Sequence, residues 1–164
     1  MTNPTVPPDP SSPSSPASQR GAPPAPAPIT VDAWLRKRRI AVCGATPKRD
    51  RWGYRVFRRL LDEGYDVIPV HPTAPHVDQI DCVASLAEIT GGVDAVSVIT
   101  PPSASLEIVR AAAEIGRPPC WFQPGASSAE VLAEAARLGI ATIDGPCVLV
   151  ELDRRGGRPK GPPR

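Results

Sequence analysis

The chain has 164 residues, 41% of them hydrophobic, and a formal net charge of +2, so it suits one domain with a sizeable core and carries no strong global field. It shows neither the basic start and apolar run of a signal peptide nor any stretch of membrane-spanning length, and a cytoplasmic, membrane-free protein is expected. Cys43, Cys82, Cys120 and Cys147 are far apart, with no C-x-x-C or C-x-x-H pair. That pattern speaks for reduced core thiols and against a disulfide framework or a metal site.

Proline is the anomaly. Of the 23 in the chain, ten fall in the first 28 positions. Residues 1–28 form a Pro/Ser/Ala-rich tract with no apolar face, and disorder is expected there. A domain over 29–153 follows, then a flexible basic tail over 154–164. Just after the tract, Thr30 to Lys37 reads as a short helix with Thr30 as N-cap and Trp34 and Leu35 as its apolar contact.

The chain is organised around Arg38 to Pro72. An apolar strand, Ile40 to Cys43, stops at Gly44. The turn Ala45-Thr46-Pro47 comes next, and from Trp52 a helix sets Val56, Phe57, Leu60 and Leu61 on one face until Gly64 ends it. A second strand, Asp66 to Val70, completes a βαβ unit. The first turn of such a unit is where backbone N–H groups and a helix N-terminus face a phosphate.

Charge gathers at the same place. Ten of the 19 Lys and Arg residues lie between Arg36 and Arg59, with Asp50 as the one acid among them. Arg36 to Arg39 and Arg58-Arg59 fit a solvated face and a basic cap as well as they fit a ligand field. Lys48, Arg49 and Arg51 flank the nominated turn itself and read as part of an anion site.

Further along, Thr73 to Ile80 reads as a loop and Cys82-Val83 as a short strand. Val93 to Ile99 has the continuous apolar character of a buried parallel strand, closed by Thr100-Pro101-Pro102. A helix from Ser103 turns Leu106, Val109, Ala112 and Ala113 inward until Gly116. Strand Cys120 to Gln123 leads into the capping box Ser127-Ser128-Ala129-Glu130, whose helix ends at Gly139. Strand Ile140 to Ile143 follows, and Val148 to Leu152 reads as a short edge segment. The helix-Gly-strand punctuation at Gly64, Gly116 and Gly139 predicts an α/β, Rossmann-like doubly wound fold, with a mostly parallel sheet and helices on both faces.

The blocks IAVCGATPKRDRWGYRVFRRLLDEGYDVIPVHP, VDAVSVITPP, CWFQPG and GIATIDGPC, in this order and spacing, resemble the small bacterial CoA-binding proteins, relatives of the CoA-binding domain of succinyl-CoA synthetase. The resemblance covers Ile40 to Glu151. It implies that CoA phosphates lie at Gly44, Ala45, Thr46 and Pro47 with the following Lys48, Arg49 and Arg51. The adenosine side would lie at His71-Pro72 and Thr100-Pro101. This chain departs from the family where His71-Pro72-Thr73 replaces Asn-Pro with its following Lys, so a cation near the nucleotide is missing. It departs again where Gly53, not Ser, precedes Tyr54. The synthetase's phosphorylated histidine belongs to another domain and is not carried over.

No catalytic residue is nominated. His71 and His76 sit in no H-E-x-x-H motif or nucleophile elbow, and Cys43 and Cys147, near strand ends, read as packing. Trp52, Tyr54, Trp121 and Phe122 could stack on an adenine, although aromatics at such positions commonly belong to the core. The expected function is non-catalytic binding of CoA or an acyl-CoA, with CoA as cofactor and no protein partner identified. One rival is an NAD(P)-binding sensor or oxidoreductase fragment. Against NAD, no acid stands at the end of the second strand to take a ribose hydroxyl, and the three-glycine fingerprint is missing. A second rival is a nucleic-acid or protein-interaction factor using the basic face, with nucleic acid the weaker of its two options.

Overall fold

The structure is a computed structural model that describes residues 24–159. Most of the Pro-rich tract, residues 1–23, lies outside the described residues together with 160–164, and the disorder expected there concerns those positions. Residues 24–28 form neither helix nor strand.

The elements in order are α1 (Val31–Leu35), β1 (Arg39–Cys43), α2 (Trp52–Asp62), β2 (Asp66–Val70), β3 (His76–Val77), β4 (Ile80–Asp81), β5 (Ala95–Val98), α3 (Pro102–Glu114), β6 (Cys120–Phe122), α4 (Ala129–Arg137), β7 (Thr142–Asp144) and α5 (Val148–Arg155). Five strands form one parallel sheet in the order β2-β1-β5-β6-β7. The fold is α/β and Rossmann-like. Strand order reverses between β1 and β5, and crevices of open α/β sheets form at that point, beyond the carboxyl ends of the strands.

Alternation along the strands separates two apolar layers. Ile40, Val42 and Trp121 face α1, α2 and α5, packing with Trp34, Phe57, Leu60 and Leu152. Ala41, Cys43, Cys120 and Phe122 face α3 and α4, packing with Val109, Ala112, Val131 and Ala135. Trp34 and Trp121 meet edge to face, with centroids 5.0 Å apart. Of the four aromatics considered for stacking, Trp121 and Phe122 are therefore core. Trp52 is 42% exposed and Tyr54 half-buried.

Four local expectations are corrected. Val148 to Leu152 is no edge segment but the first part of helix α5, with Val148 and Leu152 buried and Val150 53% exposed. An alternating strand would have placed all three on one face, so the i, i+4 pair decided the outcome. Ser128, one residue later than the capping box predicted, caps α4 by accepting a hydrogen bond from Val131 N at 3.2 Å. Ser127 is occupied by Asp144, 2.5 Å away. The expected loop Thr73 to Ile80 contains the first strand of a ribbon, β3–β4, whose tip residue Asp78 has φ +52. The short strand expected at Cys82-Val83 is reduced to a single bridge from Val83 to Val70.

The described part of the expected basic tail belongs to the domain. Residues 154 and 155 continue α5, Gly156 ends it at φ +69, and Arg158 returns to α2. Its amide donates to Glu63 at 2.9 Å, its guanidinium donates to Gly64 O and Lys37 O, and it lies 4.2 Å over the Tyr65 ring. Among the described residues no helix is long and apolar enough to cross a membrane.

Candidate functional site

The turn after β1 is fixed from both sides. In register, Cys43 pairs with Val70 of β2 and Val98 of β5, so Gly44 faces the first residues beyond both strands. Gly44 N donates to Val70 O at 3.1 Å, and Ile99 N donates to Cys43 O at 2.9 Å. Gly44 takes φ +94, and a Cβ there would stand 3.3 Å from both the Ile99 carbonyl carbon and Thr100 Cγ2. Its amide is already bonded, so its contribution is conformation and closeness, not a donor.

Gly53 matters as much, and sequence reasoning saw only half of its role. A Cβ on Gly53 would collide with the carbonyl oxygen of Gly44. The start of α2 therefore rests directly on the β1 turn, and glycine permits that approach. The available signal was the spacing of two glycines across one strand-turn-helix unit.

The α2 end is open. Its N-cap, Arg51, makes no side-chain cap bond, and no acid stands in the first turn. Among the described residues the amides of Trp52, Gly53 and Tyr54 have no bonded acceptor. Thr46 Oγ1 accepts from Lys48 N at 3.3 Å, leaving its own proton to donate outward. Lys48 is exposed and Arg51 reaches only the neighbouring Asp50, at 3.7 Å. Free amides, one hydroxyl and two cations lie within one short segment, Thr46 to Tyr54, a donor set suited to an anion.

Of the other nominated residues, His71 and Pro72 follow β2 beside this turn. His71 Nδ1 accepts from Thr73 N at 3.1 Å and Ala74 N at 2.8 Å, so the ring offers Nε2–H as its donor. Thr100 and Pro101 follow β5 on the other side. Thr100 Oγ1 lies 2.8 Å from the buried Ser105 Oγ, which fixes its direction, and the α3 start also lacks a side-chain cap. With Pro101 and Pro102 at that start, little but the Ser103 amide is left there to donate. Ala45 is buried and its amide turns back to Val42 O at 3.4 Å, while Pro47 has no N–H to give. Arg49 leaves the group and turns toward Tyr54 and Asp78.

At each of the two helix starts on the opposite half of the same rim a side chain takes one first-turn amide. Ser128 caps α4, and the buried Gln123 takes the α5 amide of Val148 on Oε1 at 2.9 Å while its Nε2 reaches Ser97 Oγ at 3.4 Å. Sequence reading found none of Gln123, Ser97 and Ser105, because buried polar side chains in apolar segments carry no periodic signal.

Thiol chemistry has poor conditions here. Burial pushes the Cys43 thiol well above its ordinary range and Cys120 up to about 12. All four cysteines are free, and among the described residues no group of His, Cys, Asp and Glu could hold a metal ion.

A family model described as a CoA binding domain matches residues 38–153. The chain belongs to that family. It is 31% identical over 115 residues to the uncharacterized protein YneT of Bacillus subtilis, covering 70% of this chain and 85% of YneT. A hypothetical protein from Pyrococcus horikoshii is 30% identical with a TM-score of 0.72, over 80% of this chain and 97% of its own. A likeness in fold alone, at 21% identity and a TM-score of 0.57, extends to an acetyl-coenzyme A synthetase of Ca. Korarchaeum cryptofilum, over 64% of this chain and 25% of that enzyme. The family's match spans all of β1 to β7, so it includes the whole rim.

Proposed function

We propose that this protein binds coenzyme A or an acyl-CoA in the cytoplasm and catalyses no reaction of its own. The diphosphate lies on Thr46, the α2 amides and the side chains of Lys48 and Arg51. The adenosine side runs along His71-Pro72 and Thr100-Pro101. The observation that carries this reading is the uncapped α2 start, seated by Gly53 on the β1 turn at the point where strand order reverses. Family membership supports CoA among the ligands that such a site would accept. An NAD site would call for an acid where His71 stands.

Calorimetric titration with CoA, acetyl-CoA, NAD, NADP and ATP tests it. CoA or acetyl-CoA is expected to bind tightest, with a stabilisation of the fold that grows with ligand concentration. Tighter binding of NAD would overturn the reading. Binding to nucleic acid that weakens steeply with salt, in the absence of CoA binding, would transfer the site to the basic-face alternative.

A further inference from the structure

A cleft of about 660 Å³ lies between α2 and the β3–β4 ribbon, lined by Arg49, Tyr54, Arg58, Asp78 and Ile80 among others. Its polar groups converge on one carboxylate. Tyr54 OH lies 3.2 and 3.3 Å from the two oxygens of Asp78, Arg58 Nη1 3.5 Å from Oδ2, and Arg49 Nη2 3.9 Å from Oδ1. Asp78 reaches them from the ribbon tip at φ +52, a left-handed turn position that Asp accepts more readily than most residues. The ribbon is only two residues on each strand, anchored by the buried Val77, and it presents Asp78 at its tip.

We infer that Arg49, Tyr54 and Arg58 form the seat for the 3′-phosphate of CoA, and that Asp78 occupies this seat when the ligand is absent. The inference rests on the CoA reading above. Three features of the chain support it. The strand-two loop, His71-Pro72-Thr73, offers no lysine or arginine for a ribose phosphate. Arg49 belongs to the same loop as Lys48 and Arg51 yet faces the cleft, so the diphosphate rim and the cleft adjoin. Two guanidiniums and a phenol on one carboxylate make the donor set that a phosphate dianion would take over, and the Asp78 charge would be repelled from it. Arg58 keeps its second partner, Asp62, 2.5 Å from Nη2, which holds the guanidinium in place during the exchange.

The test is calorimetric titration of CoA and dephospho-CoA into the full chain and into Arg58→Gln, Arg49→Gln and Asp78→Asn, each checked by thermal melting. The parent is expected to prefer CoA by about tenfold or more, as for the loss of one charge-assisted contact. Arg58→Gln should remove most of that preference and leave dephospho-CoA affinity unchanged, and Arg49→Gln, at an exposed position, should do so if Arg58→Gln fails to fold. Asp78→Asn should bind CoA several-fold tighter than the parent, with dephospho-CoA little changed. Equal affinity of the parent for both ligands, equal loss of both in the arginine variants, or no gain from Asp78→Asn would overturn the seat while leaving CoA binding intact. A parent that bound neither ligand would overturn the CoA reading as well.

Discussion

Four helices begin on the carboxyl rim of the sheet, and they divide into two pairs. In α4 and α5 a side chain takes one first-turn amide, Val131 N on Ser128 and Val148 N on Gln123, and in that sense this pair of starts is closed. In α2 and α3 no side chain caps the start and no acid stands in the first turn. A helix N-terminus left without a partner costs stability, so α2, whose first three amides have no acceptor among the described residues, has room for an external one, to which α3 adds the Ser103 amide. The open pair flanks β1 and β5, where strand order reverses. The closed pair lies beyond it, on β6 and β7. A shared fold thus caps one half of its rim with its own side chains and leaves the other half without a side-chain cap.

The largest effect should come from Gly53→Ala. The added methyl meets the Gly44 carbonyl, and either α2 lifts off the turn or the turn deforms. A loss of about 3 kcal/mol in chemical denaturation is expected, together with loss of CoA binding. Ordinary stability would detach α2 from the turn and weaken the account of the open half. Gly44→Val, the substitution the turn motif itself suggests, is a poor probe of phosphate contact. At φ +94 it strains the backbone and crowds Ile99 and Thr100, so it would damage fold and site together.

On the closed half, Gln123→Leu leaves the Val148 amide and the Ser97 hydroxyl buried without their partner, for a loss of about 2 kcal/mol. CoA affinity should stay within error of the parent. A parallel loss of binding would show that the two halves are coupled and that the division is false.

A smaller and more telling pair is Ser128→Ala against Arg51→Asp. The first removes a cap and should cost about 1 kcal/mol with no change in affinity. The second supplies α2 with the cap it lacks. It should hold or slightly raise the melting temperature while weakening CoA binding by about tenfold or more, through lost cation and added repulsion. If Arg51→Asp bound CoA normally, the α2 start would not be the phosphate site.

The architecture was legible because its signals are periodic. Gly64, Gly116 and Gly139 marked the helix ends, apolar runs marked the central strands, and the order of the four blocks marked the family. The rim was half legible. Its position follows from the β1 turn, where the nominated Gly44 stands against Thr100 and the strand pairing brings it level with the residues beyond β2 and β5. The division of roles did not follow, since it depends on bonds that close over long separations: Gly44 to Val70, Gln123 to Val148, Arg49 to Asp78. The error at Val148 to Leu152 has the same root. Five apolar-rich residues serve a strand or a helix equally until the packing of Val148 and Leu152 is known.

The smallest effect concerns Cys43, one residue before the turn. Its thiol points into the α3–α4 layer, buried, and like that of Cys120 it is held protonated at pH 8 by desolvation. Native protein treated with a thiol reagent at that pH should be modified at Cys82 and Cys147 alone, and CoA should not alter the protection of Cys43. Rapid native labelling of Cys43 would mean that the rim exposes side-chain chemistry as well as amides.

The division of the rim is tested most directly by following backbone amides during titration with CoA, in ¹⁵N-resolved spectra of the full chain. Saturating shifts are predicted at Thr46, Trp52, Gly53 and Tyr54, with the Val131 and Val148 amides, already bonded to Ser128 and Gln123, essentially unmoved. Shifts centred on Val131 and Val148, with the α2 start silent, would contradict the account.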